Sequence, residues 1–122
     1  MDFELTEDQR AVEDAARKFA KDRLLPFAAE WDEKEHFPVD VMREAAALGF
    51  ASIYVKSDVG GSELSRLDAA IIMEELSSGC TSTAAFISIH NMASWMIDRF
   101  GSDEQRKRLL PKLVTMEKIA SY

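Results

Sequence analysis

Residues 81–97 carry no charged side chain and make up most of the longest uncharged stretch in the chain, residues 76–97. Apolar and small residues fall on nearly every side of a helix there, which predicts a helix that is covered on most sides by protein. Residues 81–97 also contain serine, asparagine and histidine, and they are fewer than the roughly 20 apolar residues that cross a bilayer. The sequence therefore predicts a central helix from Thr81 to Phe100, ending before Gly101, and no membrane span.

Start and stop signals divide the rest of the chain into further helices. Thr6 with Gln9 and Ser102 with Gln105 match the capping-box pattern, and Ser65 can cap a helix that carries Asp68 in its first turn. The six predicted helices begin near Thr6, Phe27, Pro38, Arg66, Thr81 and Ser102. Residues 50–55 are apolar and are predicted to form a short extended piece, whereas Pro111 is expected to kink or split the sixth helix.

This pattern predicts an all-α fold, a helical bundle of about six helices with negligible strand content. At 122 residues, the chain has the length of one domain. A net charge of −7 makes it a poor candidate for nucleic-acid binding, which relies on clustered Lys and Arg. One cysteine, Cys80, excludes an internal disulfide, and with only two histidines the sequence predicts no metal site and a reducing compartment.

One face of the fifth helix carries mostly small side chains. Its members are Ala84, Ala85, Ser88, Ile89 and Met92, at i, i+1, i+4, i+5 and i+8. Small residues leave room for another domain, another subunit or an apolar ligand, and the pattern alone does not choose among these. Such stripes accommodate a neighbouring helix more often than a ligand.

The residues alone specify no complete active site, and no catalytic residue is assigned. Ser88 and His90 lie two positions apart on a helix and point in different directions, so we interpret His90 as a hydrogen-bonded interior histidine. The short basic run at Arg106 is interpreted as charge on an exposed helix.

Short segments along the whole chain resemble the N-terminal helical domain of the acyl-CoA dehydrogenases. They include Leu-Thr-Glu-Asp-Gln at 5–9, Glu-Trp-Asp at 30–32, Ala-Ala-Leu-Gly-Phe at 46–50, Val-Gly-Gly at 59–61, Met-Glu-Glu-Leu at 73–76 and Phe-Gly-Ser-Asp-Glu-Gln-Arg at 100–106. Within the family, residues 79–83, 87–92 and 95–98 are similar to members that act on short branched acyl-CoA thioesters such as isobutyryl-CoA.

The resemblance implies a three-domain subunit in a homotetramer. Residues 1–122 would be the N-terminal α-helical domain, a flavin-binding β-domain would begin at about 119–122, and the C-terminal helical domain would lie outside this chain. The implied reaction is FAD-dependent α,β-dehydrogenation of an acyl-CoA, with electrons passing to electron-transferring flavoprotein. The family's glutamate base lies in the C-terminal domain, so no residue of this chain is that base.

The resemblance also assigns roles to six residues of this sequence. Tyr122 matches the first position of the family's flavin-binding signature, and the rest of that signature is not in this chain. The wall of the acyl cavity corresponds to Ala84, Ala85, Ser88, Ile89 and Met92. We accordingly expect the 122-residue chain alone to bind no FAD and to be inactive.

Two other interpretations stay open at this point. The chain could be a stand-alone helical module that binds a partner protein, or a relative on the same scaffold such as an acyl-CoA oxidase or a flavin monooxygenase. The acidic start of the sequence matches neither a signal peptide nor a transit peptide, so a bacterial cytoplasmic location is expected. A processed protein of the mitochondrial matrix is the alternative.

Overall fold

The computed structural model describes residues 2–122 and contains six α-helices. These are α1 Glu7–Phe19, α2 Ala28–Glu33, α3 Val39–Ala47, α4 Arg66–Gly79, α5 Thr81–Phe100 and α6 Asp103–Val114. A π-helical turn, Ala20–Leu24, continues α1, and a short 3₁₀ turn, Ser57–Val59, precedes α4. No strand occurs within the described residues, and the predicted all-α fold is confirmed.

Local hydrogen bonds explain where three of the helices begin. Thr6, Ser65 and Ser102 each accept a hydrogen bond from the backbone N–H three residues later, and the side chain at that later position accepts from the cap residue's own N–H. Each capping box satisfies two amide groups that would otherwise lack a partner at a helix start. The predicted caps are therefore all confirmed.

The prediction for residues 50–55 is wrong. Residues 50–55 form turns rather than an extended piece, because their carbonyl groups pair with residues 62–64. The amides of Ser62 and Leu64 donate to the carbonyl oxygens of Ser52 and Ile53 at 2.9 and 2.7 Å. Helix α6 runs through Pro111 to Val114, so the proline does not split the helix, and the expected kink stays a prediction.

The main core lies between α1, α3, α4 and α5. Its fully buried side chains include Leu24, Met42, Ile53, Ile72, Leu76 and Ile87. A smaller cluster packs α6 against the loop before α4, through Val55, Val59, Leu110 and Leu113. Among residues 2–122, no helix is both long enough and apolar enough to cross a membrane.

Candidate functional site

Helix α5 has one covered side and one open side. Ile87, His90, Asn91 and Ser94 are buried against the rest of the domain. The open side carries large apolar residues that are partly exposed: Phe86, Ile89, Met96 and Phe100, at 39, 37, 40 and 74%. Within this domain, the prediction of a helix covered on most sides thus holds for one side of α5, and both α4 and α6 contact the helix.

The five small-face residues do not all lie on the open side. Ala84 is buried in the main core, whereas Ala85 is exposed. Ser88 and Met92 are half-buried, and Ile89 is partly exposed. Four of the five therefore contribute to an accessible face, and Ala84 packs inside the domain.

A cavity of about 400 Å³ lies between α5 and the segment after α6. Its walls are Phe37, Phe86, Ile89, Ile119, Ala120 and Ser121. Among the predicted wall residues, only Ile89 lines it. The periodicity of α5 could not reveal Phe37 or residues 119–121, because these reach the cavity from distant parts of the chain.

An aromatic pair forms one end of this cavity. The rings of Phe37 and Phe86 meet edge to face, with their centroids 4.8 Å apart. A second cavity of about 260 Å³ lies on the other side of this pair and includes Trp31 and Cys80 in its lining. The Thr83 hydroxyl donates to Cys80 Sγ at 3.1 Å, which gives the free thiol a local partner.

The larger cavity suits an apolar ligand. Its lining contains four apolar side chains beside Ala120 and Ser121, and no charged group. It can therefore pack against a short alkyl chain, but it offers no cation for a phosphate group. A dinucleotide such as FAD would need residues outside this lining for its diphosphate. Tyr122 follows directly and is 76% exposed.

His90 links α5 to the end of α6 and to the tail beyond it. Nε2 lies 2.8 Å from the Leu113 carbonyl oxygen, and Nδ1 lies 3.1 Å from the Ala120 amide nitrogen. Because the Ala120 amide can only donate, Nδ1 is the acceptor and Nε2 carries the proton. Burial lowers the pKa of His90, and the bond to Leu113 opposes that shift. The interpretation of His90 as a hydrogen-bonded interior residue is confirmed.

Asn91 fixes the irregular segment that precedes the 3₁₀ turn. Its Nδ2 donates to the carbonyl oxygens of Phe50 and Ile87 at 2.7 and 2.9 Å, and its Oδ1 accepts from the Ile53 amide at 2.8 Å. A single buried side chain thus satisfies three backbone groups. This contact explains why residues 50–55 hold a compact turn.

Arg106 is buried, so its interpretation as an exposed helix charge is wrong. It pairs with Asp58 of the 3₁₀ turn, through Nη1 and Nη2 at 3.1 and 2.8 Å, and with Asp98 of α5. The hydrogen bond to Asp58 is the largest cause that raises the pKa of Arg106, and the hydrogen bond to Asp98 is the next. The hydrogen bond from Arg106 in turn lowers the pKa of Asp58. The network joins α5, α6 and the loop, and its role is structural.

Comparisons with known proteins agree with this architecture. The chain matches the sequence family described as "Acyl-CoA dehydrogenase, N-terminal domain" over residues 6–117. It is 62% identical, over 118 residues, to the mitochondrial isobutyryl-CoA dehydrogenase of Dictyostelium discoideum. That alignment covers 97% of this chain and 28% of the relative, so the chain spans about a quarter of that protein's length.

Two solved structures share the fold closely. A glutaryl-coenzyme A dehydrogenase in complex with glutaryl-CoA gives a TM-score of 0.92 at 28% identity, with 98% of this chain and 31% of that chain covered. PigA with FAD and proline gives a TM-score of 0.91 at 34% identity, and that match covers 98% of this chain and 32% of the PigA chain. The match over nearly the whole chain shows that it belongs to the acyl-CoA dehydrogenase family, as an N-terminal helical domain of that family.

Proposed function

We propose that this domain belongs to an FAD-dependent dehydrogenase that introduces an α,β double bond into a short branched acyl-CoA, with isobutyryl-CoA as the expected substrate. The observation that carries the proposal is the apolar cavity between Ile89 of α5 and the tail residue Ile119. The high identity to an isobutyryl-CoA dehydrogenase supports the choice of acyl chain.

In this account the chain's own residues bind and orient the alkyl end of the substrate. Phe37, Phe86 and Ile89 surround the alkyl group and exclude water from it, with Ala85, Ser88 and Met92 on the same open face. Ala84 supports that face from the core. FAD, when bound, would supply the oxidising chemistry for loss of the β-hydrogen, and Tyr122 is the one residue of this chain that we assign to it. The base that removes the α-proton belongs to a domain outside this chain.

The remaining features of the proposal follow the family. We propose that a flavin-binding β-domain begins at about residues 119–122, that the subunits form a homotetramer, and that electron-transferring flavoprotein accepts the electrons. The Dictyostelium relative is named as a mitochondrial protein, so the matrix is the proposed location in a eukaryote, and the cytoplasm in a bacterium. The 122 residues alone are expected to bind no FAD and to be inactive.

Ile89 offers a direct test of the cavity's role in the full-length holoprotein. We expect Ile89→Ala to widen the cavity and to shift the ratio of kcat/KM values for hexanoyl-CoA and isobutyryl-CoA by about tenfold toward hexanoyl-CoA, because a single methylene is worth roughly 1–3 kcal/mol in such a pocket. Leu67→Ala is the matched control, since Leu67 is an exposed aliphatic residue of α4 outside the cavity. An unchanged ratio in Ile89→Ala would show that this cavity does not receive the acyl chain.

A further inference from the structure

The tail after α6 is held in place by few hydrogen bonds. Arg43 Nε donates to the Met116 carbonyl oxygen at 3.0 Å, and the Lys118 amide donates to the Lys112 carbonyl oxygen at 3.0 Å. Beyond Lys118, within residues 2–122, the only hydrogen bond is the one from the Ala120 amide to His90 Nδ1. His90 is therefore the last anchor of the chain before Tyr122.

This anchor acts on the residues that form one side of the cavity. Ile119, Ala120 and Ser121 all line it, opposite Ile89 of α5. Ile89 and His90 are neighbours in sequence, so the same turn of α5 supplies both a wall of the cavity and the group that fixes the opposite wall. A shift of Ala120 relative to His90 would change the distance between the two walls.

The anchor is rigid because both ring nitrogens are used and the side chain is fully buried. The bond from Nε2 to Leu113 holds the plane of the ring against the end of α6. With the ring fixed in this way, the lone pair of Nδ1 has one direction, and it accepts a hydrogen bond from the Ala120 amide. The two nitrogens thus have separable tasks: Nε2 orients the ring and Nδ1 positions the tail.

We propose that His90 is a positioning residue for acyl-chain selection, which sets the width of the cavity between Ile89 and Ile119 through its bond to Ala120. The inference rests on the proposed function, since it assigns the cavity to the acyl chain. His90 itself lies outside the lining and touches neither substrate nor cofactor in this account.

Two conservative variants separate the two nitrogens. Asn places its Oδ1 near the position of Nδ1 and keeps an acceptor for Ala120, whereas Gln places its amide near Nε2 and keeps a donor for Leu113. In the full-length holoprotein we expect His90→Gln to shift the ratio of kcat/KM values for the branched isobutyryl-CoA and its linear isomer butyryl-CoA by about tenfold, an effect of the size that one methylene has in an apolar pocket. We expect His90→Asn to keep the wild-type ratio within about twofold.

Hydrogen–deuterium exchange of the same proteins gives a readout that does not depend on turnover. Peptides covering residues 117–122 should exchange faster in His90→Gln than in the wild type, and His90→Asn should retain the protection. Equal exchange in the wild type and His90→Gln would overturn the anchor, and so would equal changes of the specificity ratio in both variants. A wild-type holoprotein whose flavin neither thioester reduces would instead overturn the proposed function, and with it the role in selection.

Discussion

Arg106 and Asp98 form a buried ion pair that connects α6 to α5. Arg106 Nε donates to Asp98 Oδ1 at 2.9 Å, and the two side chains are only 8 and 4% exposed. The second oxygen of Asp98 accepts from the Lys56 amide at 3.2 Å. The pair therefore joins α5 and α6 to the start of the 3₁₀ turn, whose own Asp58 completes the network.

Removal of Asp98 should destabilise the chain far more than removal of its exposed neighbours. Asp98→Ala leaves the Arg106 charge buried beside a less complete set of partners, and breaking a buried pair in this way is strongly destabilising. Asp58→Ala should destabilise the chain less, because the Asp58 side chain is 56% exposed. Asp103→Ala should leave the free energy of unfolding almost unchanged, because the Asp103 side chain is 88% exposed and lies 3.8 Å from Arg106. The urea midpoint of unfolding should be lowest for Asp98→Ala, intermediate for Asp58→Ala and highest for Asp103→Ala. Equal midpoints for Asp98→Ala and Asp103→Ala would contradict the importance of the buried pair.

Asn91 should contribute strongly to stability through three backbone groups. Asn91→Ala leaves the Ile53 amide and the Phe50 carbonyl without partners in the interior. Because each unsatisfied buried group costs about 1–3 kcal/mol, we expect a loss of about 2–4 kcal/mol in the free energy of unfolding. Urea unfolding of the 122-residue chain measures it, and a loss below about 0.5 kcal/mol would mean that residues 50–55 do not depend on Asn91.

Two adjacent glycines should respond differently to alanine. A Cβ at Gly61 would lie 2.1 Å from the Val55 carbonyl oxygen, so the backbone would have to shift, and overpacking of this kind costs about 1–3 kcal/mol or more. The nearest atoms to a Cβ at Gly60 would be those of the Val114 side chain, at 3.4 Å or more. The left-handed backbone of Gly60, with φ of +97°, makes alanine there unfavourable by about 1–2 kcal/mol. We expect Gly61→Ala to lower the melting temperature more than Gly60→Ala. The reverse order would contradict the geometry of this loop.

The stability of the chain should fall as the pH drops below the ordinary histidine pKa of about 6.5. Burial lowers the pKa of His90 in the folded state, so the unfolded chain binds the proton more tightly. Above about pH 6.5, His90 therefore leaves the free energy of unfolding unchanged. As the pH falls from there toward the lowered pKa of His90 in the folded state, the free energy of unfolding decreases.

Urea unfolding at pH 7.5, 6.5 and 5.5 tests this dependence. His90→Asn should remove the part of the decline that begins near pH 6.5, because asparagine does not titrate. His36→Asn is the control, since His36 is exposed. Identical pH dependence in the wild type and His90→Asn would show that His90 does not contribute.

The sequence predicted what local interactions decide. Thr6, Ser65 and Ser102 were identifiable as caps because their partners lie three residues away, and the uncharged, mostly apolar residues 81–97 identified α5. The prediction that Arg106 is exposed is wrong because its burial depends on Asp58, 48 positions away, and helical periodicity does not reveal a contact at that distance in sequence. Residues 50–55 were misread for the same reason, since Asn91 holds them from a distant helix.

The candidate site was only partly predictable. Ile89 could be found from the open face of α5, but the opposite wall depends on how the tail folds back onto His90. Phe37 reaches the cavity because its ring packs against Phe86, 49 positions away in the sequence. Contacts of this kind arise from the tertiary fold, so neither composition nor local spacing contains them.

The central claim is that this domain shapes an acyl-CoA site beside a flavin. The most direct test is the visible absorption spectrum of the full-length protein that contains this chain, recorded without oxygen before and after addition of isobutyryl-CoA. We expect a flavin spectrum that bleaches on addition of the thioester. A flavin spectrum that stays unchanged with isobutyryl-CoA would contradict the proposed substrate, and a colourless protein would contradict the proposed function altogether.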